Sequence, residues 1–421
     1  MSITTAVRCR RLCGSVIGTL ALGLVHGAQA DDSLAAALTG GKVSLDLRYR
    51  YETVAQDNTL KDAEASTLRT ALGYTTGSFH DFAAMVEFEN VAVVGAEHYN
   101  SSVNGKTQYS TVLDPAGTEV NQVWLRYAGW SDTVMSLGRQ RLILDNQRFV
   151  GNVGWRQNEQ TFDGFTLANK GLSNTILTYA YLSNVNRVVG DESPAGNAHM
   201  GSHLINASYS GLPIGILTGY GYFLDFDKPG TVNAILTSTQ TLGLRLVGKQ
   251  IMNDALTLLY TAEYARQRDY KNNPATNGYD VNYLFGEFGA TYGGVTAKYG
   301  YERLGSDGTH AVQTPLATLH AFNGWADMFA AGTPAKGLVD QYLSVGGKLM
   351  AIDLAGVYHD FAADKSGTHY GSEWDLVGSR TFEKRYTLGL KYAAYNADAP
   401  AAGFASNVDT NKFWLWGEVK F

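Results

Sequence analysis

One stretch of the sequence, Gly138 to Phe165, holds a dense set of groups that can bind one another and a polar solute. It reads GRQRLILDNQRFVGNVGWRQNEQTFDGF and combines both charge signs with aromatic rings. Its charged residues are Arg139, Arg141, Arg148 and Arg156 with Asp145, Glu159 and Asp163. Because guanidinium–carboxylate pairs are strong and directional, this composition predicts a folded, hydrogen-bonded constriction rather than a flexible loop.

A second stretch, Thr314 to Phe329 (TPLATLHAFNGWADMF), places its larger apolar residues at a helical spacing. The stripe consists of Leu316, Leu319, Phe322, Ala326 and Phe329. This spacing predicts a short amphipathic helix within a loop, which would cap the mouth of a lumen or fold into it. A helix packed on an outer rim for structural reasons fits the same pattern.

The elements that must position these stretches are strands, because most of the chain alternates in polarity with a period of two. In the first segment, Val43, Leu45, Leu47, Tyr49 and Tyr51 share one face, while Asp46, Arg48, Arg50 and Glu52 share the other. A strand separates such sets completely, whereas a helix scatters them around its circumference. Segments of about ten residues are the length that a tilted strand needs to cross a bilayer.

About eighteen such segments follow one another. Their predicted cores are 43–54, 66–75, 82–94, 119–128, 133–142, 162–169, 174–182, 202–210, 213–225, 238–249, 255–266, 280–292, 294–304, 339–348, 350–361, 370–378, 385–396 and 412–421. Connections after even-numbered segments are short, and those after odd-numbered segments are longer. This regular alternation of short and long connections is typical of an outer-membrane barrel with short periplasmic turns and long external loops. A soluble β-sandwich or β-propeller is the alternative fold.

The predicted fold is therefore a closed, all-β antiparallel transmembrane barrel. Its last segment ends in an aromatic residue, Phe421, on an alternating strand. Such an ending resembles the signal that the barrel-assembly machinery reads, so we expect that machinery as a partner, together with outer-membrane lipid. Closure of the sheet would pair this strand with the segment near Val43 and leave no open edge.

The first thirty residues predict a secretory leader. Three arginines precede a short apolar run at 14–25, and a small-residue cleavage motif ends at Ala30. We expect a leader at 1–30, with an uncleaved anchor as the alternative, and one barrel domain at 31–421 in the outer membrane. Both cysteines, Cys9 and Cys13, lie in the leader, so the mature chain has no disulfide and no thiolate metal site.

Loss of the three leader arginines takes the formal net charge from −6 to −9. This acidic balance argues against a nucleic-acid partner. By strand parity, the basic residues facing the lumen are Arg48, Arg50, Arg69, Arg126, Arg245, Lys249, Lys298, Lys348 and Lys391, and the acidic ones are Asp46, Glu52, Glu87, Glu263, Glu287, Glu302, Glu373 and Asp375. Opposed charges select solutes in a pore; pairing with neighbours along a solvated wall is the alternative for most of them.

The parity of Arg139 and Arg141 differs from that of the lumen set. Both share the parity of Met135 and Leu137, which look outward. They either lie above the hydrocarbon region, or a β-bulge turns them inward.

On a barrel of this size, the 138–165 and 314–329 stretches resemble the alginate-export family of outer-membrane barrels, and its porin-like members more than the alginate channel itself. The resemblance implies eighteen strands, in agreement with the segment count, and a passive channel that passes anionic polysaccharide through an arginine-lined constriction. It implies constriction roles for Arg139, Arg141, Arg148 and Arg156, ordered by Asp145 and Asp163.

The leading functional hypothesis is a passive channel for hydrophilic, anionic solutes or polysaccharide, without cofactor or metal. A barrel enzyme of the lipase or protease type and a plugged structural or adhesive barrel are the alternatives. The mature histidines lie outside any G-x-S-x-G elbow, and His199 and His203 lack the acidic residue of a zinc helix. The sequence therefore predicts no enzyme.

Overall fold

A computed structural model gives the fold of the chain and describes residues 33–228, 236–271, 278–398, 404 and 407–421. The predicted leader at 1–30 lies outside these residues. In the described part of the chain, eighteen strands form one sheet. They are β1 (Lys42–Gln56), β2 (Ala63–Thr75), β3 (Phe82–His98), β4 (Gly117–Trp130), β5 (Thr133–Gln140), β6 (Thr161–Asn169), β7 (Thr175–Asn186), β8 (Asn197–Leu212), β9 (Gly215–Leu224), β10 (Thr239–Ile251), β11 (Leu256–Asp269), β12 (Asp280–Tyr292), β13 (Val295–Leu304), β14 (Leu338–Leu349), β15 (Ile352–Ala362), β16 (His369–Phe382), β17 (Tyr386–Ala397) and β18 (Thr410–Lys420).

The sheet closes on itself. Each strand pairs antiparallel with its neighbours in the chain, and β1 pairs with both β2 and β18. At the seam, Phe421 N donates to Leu45 O at 2.9 Å, and Leu45 N donates to Phe421 O at 3.2 Å. Because the last strand has a partner on each side, no strand edge faces lipid. The predicted fold class is confirmed.

The period-two pattern sorts side chains between lipid and lumen as predicted. Leu244 and Leu388, on the outer face, are each 59% exposed, whereas Arg50 and Glu52, on the inner face of β1, are 1% and 0% exposed. Outward apolar side chains are thus available to lipid, and the charged ones gather inside the barrel.

The two ends of the barrel differ in their connections. Connections after even-numbered strands have at most six residues, such as 293–294 and 350–351, while those after odd-numbered strands range from six residues, as at 57–62, to 33, as at 305–337. Met350 and Ala351 both take left-handed φ angles, 49° and 67°, as two-residue hairpins of the I′ type require. The predicted alternation of turns and loops is confirmed.

A short helix that the sequence analysis missed precedes the barrel. It is α1 (Leu34–Thr39), with Ser33 as its N-cap, and it lies against the first short turn, where Gly77 N donates to Ala37 O at 2.8 Å. No helix in the described ranges is long and apolar enough to cross a membrane.

Candidate pore constriction

The loop at 141–160, called L3 below, turns into the lumen because β5 ends early, at Gln140 rather than at the predicted residue 142. Gly138 makes the close approach of β5 to β4 possible. Its φ is +125°, and a Cβ atom at this position would lie 2.2 Å from Val123 O. Only glycine fits such a backbone without displacing β4.

Gly138→Ala should therefore destabilise the barrel by about 1–3 kcal/mol, the usual cost of a strained backbone position. Gly286→Ala is the matched control, because nothing lies within 4 Å of a Cβ built there. Thermal unfolding in detergent tests this, and equal losses in the two variants would contradict the role given to Gly138.

Glu159 joins L3 to the basic side of the wall. Arg141 Nε donates to Glu159 Oε1 at 2.6 Å, and Arg69 Nη2 lies 3.6 Å from the same oxygen. Arg141 Nη2 also donates to Glu87 Oε1 at 2.6 Å, and Arg69 Nη1 lies 3.0 Å from Asp46 Oδ2. Asp46, Arg69, Glu159, Arg141 and Glu87 thus form a row of alternating charge, called the ionic row below.

Arg156 lies among three carboxylates. Its Nη1 is 3.1 Å from Glu52 Oε2 and 3.9 Å from Asp114 Oδ2, and its Nη2 is 3.0 Å from Asp327 Oδ2. Glu52 belongs to β1, while Asp114 and Asp327 belong to the loops at 99–116 and 305–337. Arg156 therefore ties L3 to the wall and to two other loops.

Arg148 ties L3 to the acidic side of the wall. Its Nε lies 2.8 Å from Glu302 Oε1 on β13, and its Nη2 donates to Asn323 Oδ1 at 2.9 Å. The guanidinium also lies over the ring of Phe322, 4.7 Å from the centroid. L3 thus carries an acid toward the basic wall and an arginine toward the acidic wall.

Trp155 lies where L3, the loop at 305–337 (called L7 below) and the wall meet. Its ring stacks on His320, with centroids 4.8 Å apart and planes 4° apart. Lys391 Nζ and Arg50 Cζ lie 3.9 Å and 4.3 Å from the centroid, and Trp414 meets the ring edge-on at 5.9 Å. Cation–π contacts are strongest where water is excluded. These five residues are called the Trp155 hub.

L7 lies inside the barrel, but the helix predicted at 314–329 is wrong. Only one 3₁₀ turn, Leu319–Ala321, forms there. Trp325 N and Ala326 N donate to Asp375 and Glu373 on β16, at 3.2 Å and 2.7 Å. A helix would have used these amide groups internally, so the wall carboxylates replace the helical hydrogen bonds.

The apolar residues of the predicted stripe are buried without the helix. Leu316 is 0% exposed and Phe329 6% exposed, and both belong to the core cluster inside the barrel. Asn323 and Gly324 take left-handed φ angles of 55° and 83°, which interrupt a helix. The alternative of a helix on the outer rim is also wrong, because L7 packs against the inner wall.

Arg139 and Asp163 lie outside the constriction, so their predicted role there is wrong. They pair with each other at 2.8 Å, and Arg139 lies opposite Val123 in the register of β4 and β5. Val123 and Leu137 are 48% and 61% exposed and mark the outer face. The parity of β5 keeps Arg139 on that face, whereas Arg141, beyond the end of the strand, turns inward.

Asp145 lies in L3 but binds the wall rather than an arginine of the constriction. Its Oδ2 accepts from Asn206 Nδ2 at 2.8 Å and from the Tyr222 hydroxyl at 3.3 Å. Burial raises the pKa of the Asp145 carboxyl. Its expected role in ordering the arginines is therefore wrong; it attaches L3 to β8 and β9.

Most of the predicted lumen-facing basic residues fall into two groups, and Lys249 on β10, which is exposed, belongs to neither. Arg48, Arg50, Arg69 and Lys391 belong to the constriction and are 8%, 1%, 5% and 7% exposed. The others pair along the wall: Arg245 with Glu263 at 3.1 Å, Lys298 with Glu287 at 3.0 Å, Lys348 with Asp353 at 3.1 Å, and Arg126 with the ring of Trp124 at 4.2 Å. Lys348 is 58% exposed beside a short turn, far along β14 from the constriction.

Two constriction residues were not singled out from the sequence. Gln157 accepts from Arg48 Nε at 3.0 Å, and its own side chain donates to Thr67 Oγ1 at 2.9 Å. Asp114 accepts from Gln157 N at 2.8 Å. Gln157 lies in the flagged stretch but is uncharged, and Asp114 lies in a loop where no periodicity marks it.

The ionisation of two loop residues follows from their surroundings. Burial lowers the pKa of His320 to about 3, although the Asp327 carboxylate opposes the shift. The neutral ring donates from Nδ1 to Asp327 at 2.7 Å and accepts at Nε2 from Lys391 Nζ at 3.0 Å. Burial alone would raise the pKa of Glu159, but Arg141 and Arg69 outweigh it and hold this pKa at about 2.

Acid should therefore loosen the constriction in two steps. Unfolded His320 takes up a proton near its ordinary pKa of 6.5, so stability falls as the pH drops below 6.5, by at most about 1.4 kcal/mol per pH unit. The ion pairs of Glu159 contribute their full stabilisation of the folded state above the ordinary pKa of this residue, 4.5. This stabilisation is lost as the pH falls from 4.5 through the folded-state pKa of about 2. His320→Gln should remove the first step and keep the second in thermal unfolding curves between pH 7.5 and 3. An unchanged acid dependence in His320→Gln would contradict the assignment.

A cavity of about 430 Å³ lies between L3 and the inner faces of β18, β1, β2 and β3. The ionic row forms its inner end, and Ser44, Lys420 and Phe421 line it toward the short-turn end of the barrel. This cavity is called the vestibule below. In the described residues, no group of three or more His, Cys, Asp or Glu side chains has a metal-binding arrangement.

A closed barrel of eighteen strands with two loops folded into a charged lumen defines an outer-membrane barrel of the channel class. The chain belongs to the alginate export family, whose model matches residues 42–302, more than half of the sequence. The match includes the 138–165 stretch and ends before 314–329. The comparison with curated proteins found no match.

Solved structures show the same fold. OccAB2 of Acinetobacter baumannii is 16% identical with a TM-score of 0.70, and 91% of this chain covers 99% of that chain. OpdK of Pseudomonas aeruginosa, solved with vanillate, is 15% identical with a TM-score of 0.68, over 91% and 99% of the two chains. OccK9 (OpdG) of the same species is 15% identical with a TM-score of 0.68, and the match covers 91% of this chain and 100% of that chain.

Proposed function

We propose that this protein is a passive outer-membrane channel for small hydrophilic solutes. The observation that carries this proposal is a charged lumen narrowed by L3 and L7 beside a polar vestibule of about 430 Å³. Wall side chains cannot fill a barrel of this strand number, so the loops set the width of the path. A cavity of a few hundred Å³ suits a small molecule.

Conductance of the purified protein in a planar bilayer tests the proposal. We expect single-channel steps at neutral pH, and partial block of the current by small solutes that enter the vestibule. Vanillate, the compound present in the OpdK structure, is a suitable anionic test solute. Complete absence of current under all conditions would favour a plugged structural barrel.

Passage of an anionic polysaccharide is the second candidate, and the alginate export family match favours it. The described constriction gives it less support. Arg141, Arg148 and Arg156 each lie within 3.1 Å of a carboxylate, and a paired guanidinium presents little net positive field. We therefore propose weak charge selectivity.

Reversal potentials in a salt gradient distinguish these two candidates. The small-solute proposal expects similar potassium and chloride permeabilities in the natural protein. Replacing Arg141, Arg148 and Arg156 together by glutamine leaves their carboxylate partners unpaired, so this variant should prefer potassium. A strong chloride preference that disappears in this triple variant would favour the polysaccharide path. Arg139→Gln, on the outer face, is the matched control.

A further inference from the structure

The vestibule presents both charge signs to a solute. Its lining includes four cationic groups, Arg48, Arg69, Arg141 and Lys420, and four anionic groups, Asp46, Glu87, Glu159 and Glu418. The signs alternate along the ionic row at its inner end. A solute with one net charge would meet an opposite and a like charge side by side, so the lining gives it little net attraction.

Two polar atoms of this lining retain hydrogen-bonding capacity. Arg141 is 33% exposed. Its Nε donates to Glu159 and its Nη2 donates to Glu87, so Nη1 is the nitrogen that remains to donate to a solute. Asp46 Oδ2 pairs with Arg69 at 3.0 Å and with Lys420 at 3.8 Å. Asp46 Oδ1 has no hydrogen-bond partner in the described part of the chain but is buried, so a solute reaches it only when the side chain, which is 25% exposed, turns this oxygen toward the cavity.

From this geometry we propose that the vestibule binds small zwitterionic solutes, such as α-amino acids, in preference to anions or cations of the same size. The inference rests on the proposed channel function and names the solute class for it. The solute carboxylate binds Arg141 Nη1, and its ammonium group binds Asp46 Oδ1 once rotation of the Asp46 carboxylate exposes this oxygen to the vestibule.

The rest of the cavity fits such a solute. Ala71 and Met85 also line the vestibule and provide apolar contact for a short side chain. An unsatisfied buried carboxylate oxygen is costly, and hydrogen bonds to charged groups are among the stronger ones in proteins. A zwitterion satisfies this oxygen without adding net charge to a lining in which both signs are balanced.

Four small solutes of different charge test the proposal: L-alanine, propionate, ethylammonium and propionamide. Their affinities are measured by calorimetry on the folded full-length mature protein in detergent, so that the result does not depend on conduction. We expect L-alanine to bind at least about tenfold more tightly than each of the other three, as one additional charged hydrogen bond provides.

Two conservative variants locate the site. Asp46→Asn removes the acceptor charge, and Arg141→Lys keeps the positive charge but removes the Nη1 donor; each should weaken L-alanine binding about tenfold. Arg139→Lys, on the outer face, should leave it unchanged. Thermal unfolding of each variant shows whether the barrel is folded before binding is compared.

The outcomes separate this inference from the channel proposal. Equal binding of propionate and L-alanine would overturn the zwitterion site and indicate an anion site. Binding of none of the four solutes would also overturn it, and the vestibule would then be a water-filled part of the lumen, whether or not the barrel conducts. L-alanine binding without any measurable current would support the site and contradict the channel.

Discussion

Replacing Trp155 by alanine should raise the single-channel conductance several-fold. The Trp155 ring contacts His320 of L7 and the cations Lys391 and Arg50 of the wall, so this one side chain joins both lumen loops to the barrel. Truncating a well-packed tryptophan costs about 3–5 kcal/mol. This cost falls on the contacts between the loops and the wall rather than on the sheet, and the loops should therefore move out of the path. Conductance steps in a planar bilayer measure the effect.

Trp130→Ala is the matched control for this prediction. Trp130 ends β4 beside a short turn and is 59% exposed, so its removal should leave conductance unchanged. Limited trypsin digestion of the folded protein gives an independent readout, because detached L3 would expose the chain at Arg148 and Arg156. Unchanged conductance together with a protected L3 would show that the Trp155 hub does not hold the loops.

The barrel wall was predictable because its environment changes from lipid to water at each successive residue. Strand β12 shows this most clearly: the predicted segment 280–292 is the observed strand Asp280–Tyr292. Closure of the barrel was also predictable from the sequence, because an alternating last strand that ends in Phe421 needs a partner strand. The largest shift is at the start of β8, which begins at Asn197 rather than at residue 202, whereas the end of β5 shifted by two residues.

The interior of the barrel was less predictable, because loop partners are distant in sequence. Arg156 meets Glu52, Asp114 and Asp327, and no spacing rule links these positions. The apolar stripe of 314–329 was a helical pattern, but the carboxylates of Glu373 and Asp375 bind the backbone that a helix would have used. The helix propensity of one segment does not show which hydrogen-bond partners another strand will offer to its backbone.

The density of charge in the 138–165 stretch therefore has a different meaning in the fold. In the sequence it indicated a pore lining that attracts anions. In the structure, Glu159 faces Arg69 on β2, and Arg148 faces Glu302 on β13. L3 thus uses most of its charges to attach itself to opposite charges on the wall, and fewer of them to face a solute.

Arg156→Met should lower the free energy of unfolding by about 3–5 kcal/mol, the usual result of removing one partner from a buried ion pair. The substitution leaves the Glu52 carboxylate, whose side chain is 0% exposed, without its guanidinium partner, whereas Asp327 keeps Lys412 Nζ at 2.9 Å. Asp114 keeps its contact with Arg50 at 3.4 Å. Urea unfolding of the barrel in lipid vesicles, followed by tryptophan fluorescence, measures the loss.

Arg266→Met is the matched control, because Arg266 is 52% exposed and pairs with the exposed Asp280, and an exposed ion pair contributes little to stability. Adding Glu52→Gln to Arg156→Met should restore part of the lost stability, since the unpaired charge is then gone. If this double variant is less stable than Arg156→Met alone, the cost does not come from buried charge, and Arg156 acts mainly by filling space between L3 and L7.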